Sequence, residues 1–379
     1  MDLANKLDKL RHDNHYRSRK MISSAQQVEP IINGQKVLSF CSNDYLGLAN
    51  HPKIIESLAY TAQKNGVGSG ASHLITGHHE CHAALEDELA DFIGCEKVLL
   101  FSTGYMANLG VVSAIADRSS YIYADKLNHA SLNDAAILSR AQLKRYAHQD
   151  INQLEKNISE NTGSNNLILS DGVFSMDGTI APVSKLQSIA SKYDAKLIID
   201  DAHGIGVLGK EGKGCTENLL SNDDILIGTL GKAFGTFGAF VAAKQEVIEW
   251  LIQKSHSYIY TTAIPPAIAE ATRASLRLVM DEAWRREHLQ KLIQYFQSRC
   301  MQLGIDVSVS HTPIQPIVLG SSETALKVSR NLLDAKILVP AIRPPTVPNN
   351  TARIRITFSA SHTKKHVDQL LVVLEQSLK

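Results

Sequence analysis

The sequence predicts an α/β protein: a mixed, mostly parallel central sheet flanked by helices, followed by a smaller α+β domain at the C-terminal end. Three observations carry this. Between residues 97 and 243, short β-rich runs recur with helix-period segments between most of them. Several of those runs are apolar throughout instead of alternating, as in strands buried on both faces. After about residue 265 the rhythm changes to long helices and short strands.

Taken in order, residues 2–19 are polar and read as an N-terminal helix or arm. A helical period covers 82–93. Strands are expected at 97–101, 121–124, 143–147, 167–170, 197–200, 225–229 and 239–243, with a helix at 184–193. Two long helices span 268–303 and part near Asp281. Short strands at 307–310 and 314–319, a helix at 323–333, a strand at 352–358 and a helix at 363–378 complete the chain. The segment IRPPTVP, residues 342–348, is a rigid extended loop because proline fixes φ and restricts the residue before it. The expected division is an arm at 1–45, a large α/β domain at 46–270 and an α+β domain at 271–379.

Composition narrows the function. Lys and Arg total 39 against 38 Asp and Glu, a net charge of +1. Nucleic-acid binding needs a basic excess to neutralise phosphates, so it is not expected. No run approaches the ~20 apolar residues of a membrane helix, and the first twenty residues show no apolar leader. Cys41, Cys81, Cys95, Cys215 and Cys300 are odd in number, widely spaced and without a C-x-x-C pair. Neither a disulfide framework nor structural zinc is expected, and a reducing cytoplasm fits.

Two motifs carry chemistry. In Ile198-Ile199-Asp200-Asp201-Ala202-His203-Gly204 an apolar strand runs into two carboxylates and a histidine. Ligands of open α/β sheets sit beyond the carboxyl ends of strands, where Asp200 and His203 fall. In Thr229-Leu230-Gly231-Lys232-Ala233-Phe234-Gly235 a second buried strand leads into a lysine among small residues. Partial desolvation lowers a lysine pKa and exposes the amine needed for a Schiff base. Together they suggest a pyridoxal 5'-phosphate site, the lysine bonding the aldehyde and the carboxylate pairing with the pyridinium nitrogen. A neighbouring carboxylate keeps that nitrogen protonated and the ring electron-withdrawing. Asp200 is suited to this; strand alternation turns Asp201 elsewhere.

These motifs, with Asp171-Gly172-Val173-Phe174-Ser175-Met176-Asp177-Gly178, Ser42-Asn43-Asp44-Tyr45-Leu46-Gly47-Leu48 and Leu127-Asn128-His129-Ala130-Ser131-Leu132, resemble the α-oxoamine synthases over essentially the whole chain. The resemblance implies a fold-type-I, aminotransferase-like homodimer that condenses an amino acid with an acyl thioester and loses CO2. Residues 341–348 and 351–355 resemble the branch acting on L-alanine and pimeloyl-CoA or pimeloyl-acyl carrier protein in biotin biosynthesis. Sister activities such as glycine C-acetyltransferase or serine palmitoyltransferase share every cofactor residue, and a non-catalytic scaffold of the same fold is a further alternative.

The same resemblance assigns roles. Lys232 holds the cofactor and moves the α-proton, Asp200 pairs with the pyridinium, His203 hydrogen-bonds the phenolic oxygen, and His129 stacks on the ring and helps place the substrates. Ser175 contacts the cofactor, and Thr229 and the backbone at Gly104 and Tyr105 meet its phosphate at a helix start. Thr262 reaches the phosphate of the partner subunit. Arg355 holds the amino-acid carboxylate, Arg17 and Thr346 contact the acyl substrate, and Asn43 faces the bound substrate. Asp171 stands where the family motif has Glu and is left without a role, as is His73.

Other patterns are decoys. Gly66-Val67-Gly68-Ser69-Gly70 follows a polar segment and lacks G-x-G-x-x-G spacing, so no nicotinamide site is expected. His78, His79 and His82 lack a carboxylate or cysteine set to complete a metal site and are expected to be surface histidines; no metal is expected.

Overall fold

The computed structural model describes residues 2–161, 165–219, 221 and 223–379. They form two compact units, one of residues 51–175 and 179–283, the other of residues 1–50, 176–178 and 284–379.

The first unit is built on seven strands: β1 (Lys97–Phe101), β2 (Tyr121–Asp125), β3 (Gln142–Tyr146), β4 (Asn166–Asp171), β5 (Ala195–Asp200), β6 (Ile225–Thr229) and β7 (Ala239–Ala243). Their order in the sheet is β1-β7-β6-β5-β4-β2-β3. β7 runs antiparallel to both neighbours, and the strands from β6 to β3 are parallel. All seven expected strands are present, and the sheet is mixed and mostly parallel. β4, β6 and β7 are buried at every position, which is why they read as unbroken apolar runs. Edge strand β3 is mostly exposed.

Helices supply the covering layers. Val111 and Val112 of helix Gly104–Ile115 pack with Leu99, Ile122, Leu167, Ile198, Ile225 and Val241 in one buried cluster. Each such side chain contributes roughly 1.5–3 kcal/mol on burial. One consequence of the topology bears on the site. The functional ends of β2, β4, β5 and β6 emerge on one edge of the sheet, as parallel pairing requires.

β6 and β7 are antiparallel neighbours, so residues 230–238 join them as a closed hairpin loop. The Leu230 N–H donates to Gly238 O at 2.9 Å, Thr236 N–H to Leu230 O at 2.9 Å and Gly235 N–H to Lys232 O at 2.9 Å. A parallel connection would need a crossover of a dozen or more residues.

The second unit carries a three-stranded antiparallel sheet of β8 (Ile314–Gly320), β9 (Ala341–Ile342) and β10 (Ala352–Thr357), with β10 central. Helices Trp284–Gln302, Ser322–Asp334 and Lys364–Leu378 accompany it. The polar N-terminal segment forms helix Leu3–His12, none of whose residues is buried. Leu38–Ser39 pairs in parallel with Ile337–Leu338, tying this segment to the C-terminal one.

The strand expected at 307–310 is absent. Side chains occupy the acceptor a ladder would use: Gln297 and Gln315 both donate to Ser310 O, at 2.6 and 2.9 Å. The Ser310 hydroxyl in turn donates to Gly178 O at 2.9 Å.

Candidate active site

The carboxyl edge of the seven-stranded sheet surrounds a cavity of about 210 Å³. Its lining contains eight of the residues singled out from the sequence: Gly104, Tyr105, His129, Ser175, Asp200, His203, Thr229 and Lys232. Each reaches it from a strand end. β1 leads to Gly104, β2 to His129, β4 to Ser175, β5 to Asp200 and His203, and β6 to Thr229 and Lys232.

One wall is the start of helix Gly104–Ile115. Thr103 caps it, its Oγ1 accepting the Met106 N–H at 3.1 Å. The first-turn amides have no partner within the helix and carry the positive end of its dipole, an arrangement that binds anions. Glycine is required at 104, because a Cβ there would stand 2.7 Å from Thr229 Cγ2. The helix start and the end of β6 are thus held so close that a side chain at 104 would force one of them to shift.

The floor is a pair of carboxyls. The register sets Asp171 opposite Asp200 on adjacent strands β4 and β5. Asp200 is 6% exposed. Asn108 Nδ2 donates to its Oδ2 at 2.6 Å, and the Ala202 N–H to its Oδ1 at 3.1 Å. Burial first, then the neighbouring charge of Asp200, push the Asp171 carboxyl well above the usual carboxylate range. Asp201 does not line the cavity; its Oδ2 accepts the Cys215 N–H at 2.7 Å.

His129 is the N-cap of helix Ala130–Ser139 as well as a cavity residue. Its N–H donates to both oxygens of Asp171, at 3.0 and 3.2 Å. Its Nδ1 accepts the Ser131 N–H at 3.3 Å and lies 2.7 Å from Ser131 Oγ, which also accepts from Asn108 at 2.7 Å. Nδ1 is therefore an acceptor and Nε2 carries the proton. Burial holds the imidazole below the ordinary histidine range, against the pull of Asp200. A neutral ring with fixed orientation is the result.

Sequence reasoning missed two members of this network. Asp171 was set aside because it is shorter than the family's Glu, yet it anchors the His129 backbone. Asn108 joins Asp200 to Ser131 from the interior of a helix, where no local pattern announces it.

Thr262 is exposed, pairs with Ser72 in an isolated bridge, and is not part of this cavity's lining. Of the five expected substrate residues, His129 lines this cavity, and Arg17, Asn43, Thr346 and Arg355 belong to the other unit. There Arg17 Nη2 donates to Thr346 Oγ1 at 3.1 Å. Both line a cavity of about 770 Å³ with Arg11, Lys20, Arg330 and Arg343. Arg355, on β10 and 6% exposed, donates to Asn43 Oδ1 from both terminal nitrogens at 3.4 Å.

A model of the aminotransferase class I and II family matches residues 35–374. The 8-amino-7-oxononanoate synthase of Thioalkalivibrio sulfidiphilus is 51% identical over 383 residues, with 100% of this chain and 97% of that protein covered. The chain belongs to the 8-amino-7-oxononanoate synthase family. The enzyme of that name from Nitrosococcus oceani is 50% identical, covering 96% of this chain and 97% of its own. Among solved structures, the family member from Francisella tularensis superposes with a TM-score of 0.79 at 33% identity, over 90% of this chain and 98% of that one. A serine palmitoyltransferase from S. paucimobilis, solved with PLP and myriocin bound, reaches a TM-score of 0.93 at 27% identity over 99% and 96% of the two chains. The fold is that of the fold-type-I aminotransferases.

The cavity fits pyridoxal phosphate on its own chemistry. It offers an amine for an aldehyde, a buried carboxylate for a ring nitrogen, two histidines, and a helix N-terminus with Thr229 for a phosphate.

Proposed function

We propose that the chain catalyses the pyridoxal-phosphate-dependent condensation of L-alanine with a pimeloyl thioester, giving 8-amino-7-oxononanoate, CO2 and free thiol in biotin biosynthesis. The observation that carries the reading is the single cavity that gathers Lys232, Asp200, His203, His129, Thr229 and the helix start at Gly104. The relatives named for this product support the choice of substrates.

When bound, the cofactor supplies an electron sink for carbanions at the amino-acid α-carbon. The chain's residues do the rest. Lys232 Nζ anchors the aldehyde and then takes and returns the α-proton. Asp200, held by Asn108 and the Ala202 N–H, keeps the ring nitrogen protonated. His203 steadies the phenolic oxygen. Thr229 and the first amides of helix Gly104–Ile115 hold the phosphate. His129, fixed by Asp171 and Ser131, presents a neutral ring face. Arg355 binds the alanine carboxylate through its paired N–H groups, Asn43 stands beside it, and Arg17 and Thr346 hold the acyl chain. The working protein is a homodimer in which Thr262 serves the partner's phosphate. Among the described residues no helix is long and apolar enough to cross a membrane, and the five cysteines are unpaired; a reducing cytoplasm suits the chain.

The test is thiol release by cofactor-loaded protein given pimeloyl-CoA, or pimeloyl-acyl carrier protein, with alanine, glycine or serine in parallel. Alanine-dependent release with the matching amino-ketone is expected, and Lys232→Ala should abolish it. Release with glycine or serine alone would move the chain to a sister activity, and near-normal turnover by the Lys232 variant would overturn the mechanism.

A further inference from the structure

The expectation of surface histidines at 78, 79 and 82 needs correction: His82 is fully buried. It lies in the first turn of helix Glu80–Ile93, and both its ring nitrogens have backbone partners. Nδ1 accepts the His79 N–H at 2.8 Å, so Nε2 carries the proton and donates it to Ile264 O at 2.8 Å. Burial lowers the pKa of the ring to about 4, so at neutral pH it is uncharged and keeps this one tautomer.

The sequence explains why side chains serve this carbonyl. Ile264, itself 2% exposed, is followed by Pro265 and Pro266, which have no N–H. Helix Pro266–Asp281 takes its first acceptor from Pro265, whose O accepts the Ile268 N–H at 2.9 Å. Ile264 O is left outside the helix, and a buried carbonyl needs a partner. Ser69 Oγ, at 2.6 Å, and His82 Nε2 supply its donors. The same segment is gripped further back. Ser72 and Thr262 form a single antiparallel bridge, and the Ala263 N–H donates to Ala71 O at 3.0 Å. Upstream, the Tyr258 ring lies flat against His73, with centroids 5.0 Å apart and planes 10° apart. Thr262 is the exposed residue between these anchors.

We propose that His82 is a positioning residue for cofactor binding: by fixing Ile264 O it sets the place from which Thr262 reaches the phosphate of the partner subunit. The inference rests on the reading that Thr262 serves that phosphate. One bridge and one backbone hydrogen bond hold Thr262 only weakly. The two donors on Ile264 O remove the remaining freedom. His82 acts through the Thr262 segment alone, so its effect is confined to the phosphate end of the cofactor.

Two substitutions separate this role from that of a helix start. His82→Asn keeps an acceptor for the His79 N–H but does not reach Ile264. His82→Gln carries its amide to where Nε2 stands and donates to Ile264 O. The full-length chain, freed of cofactor, is titrated by visible absorbance with pyridoxal 5'-phosphate and, separately, with pyridoxal, and circular dichroism checks the fold. His82→Asn should weaken phosphate-cofactor binding about three- to tenfold and leave pyridoxal binding unchanged, with His82→Gln closer to the native chain. Thr262→Ala should show the same phosphate-specific loss, and less of it once His82→Asn is present. If Thr262→Ala costs nothing, the reading of Thr262 fails and the inference with it. If Thr262→Ala weakens binding but His82→Asn does not, or if pyridoxal binding falls equally, the role of His82 alone is overturned. A native-like Asn variant beside a defective Gln variant would also overturn it, by assigning the ring to the helix start. Should the His82 variants fail to fold, Ser69→Ala removes the other donor on Ile264 O; a phosphate-specific loss is then expected, and unchanged binding overturns the proposal.

Discussion

Asp171 and Asp200 are neighbours because the strands that carry them pair in register, Asp171 against Asp200. Two buried carboxyls side by side do not both ionise readily, and burial with the neighbouring carboxyl pushes Asp171 upward. Asp200, His203 and Lys232 were legible in the sequence because each follows an apolar strand directly. Asp171 was legible as a position but not as a role, since its importance depends on a partner 42 residues away, the His129 N–H. Asp201 shows a separate residue-scale effect. Burial pushes its carboxyl up to about 7 from an ordinary 3.8. The folded chain therefore holds this proton more tightly than the unfolded chain does. The resulting stability is fully present below the unfolded value and is lost as pH rises through about 7. Asp201→Asn removes this dependence while keeping an acceptor for the Cys215 N–H. Denaturation of the cofactor-free chain should show the variant gaining on the native protein from about pH 4 to about pH 7, by on the order of 4 kcal/mol at most. Parallel stability–pH curves would contradict the assignment.

At the scale of the element, helix Gly104–Ile115 does two things. Its start faces the cavity, and its interior sends Asn108 to Asp200. Gly104→Ala places a Cβ 2.7 Å from Thr229 Cγ2, so the helix start or the end of β6 must retreat. Overpacking of this kind costs about 1–3 kcal/mol. The expected outcome is cofactor affinity weakened roughly tenfold or more, read by absorbance titration, with the fold retained by circular dichroism; unchanged affinity would show that the phosphate does not sit there. The sheet strands were readable because continuous apolar runs leave few alternatives. The segment at 307–310 was misread because Val-Ser-Val-Ser alternates like a strand, whereas Gln297 and Gln315 decide its conformation from other elements. The expectation of surface histidines at 78, 79 and 82 fails at His82 for the same reason: it is fully buried, its ring held between the His79 N–H and Ile264 O, a partner 182 residues away.

For the molecule as a whole, the division into units separates two tasks. Every residue of the cofactor cavity lies in one unit, and Arg17, Asn43, Thr346 and Arg355 lie in the other. Cofactor binding and substrate selection should therefore be separable by mutation. Arg355→Lys keeps the charge but loses the paired donors. It should raise the KM for alanine about ten- to hundredfold while leaving cofactor absorbance and affinity unchanged; a lost cofactor signal would refute that separation. The sequence showed the change of rhythm near residue 265 but not that residues 1–50 join the C-terminal unit, because that grouping rests on pairings such as Leu38 with Ile337 that span the chain. The reversed strand β7 has a consequence for how such a chain tolerates change. Crossover connections in a parallel sheet have room for extra residues, and lineages or engineers lengthen them freely. The hairpin at 230–238 has none, since its ends are stitched together at Leu230 and Gly238. Lys232 works on a leash whose length is set by its own four-carbon stem. The loop that bears it is where an inserted tag or domain should be least welcome.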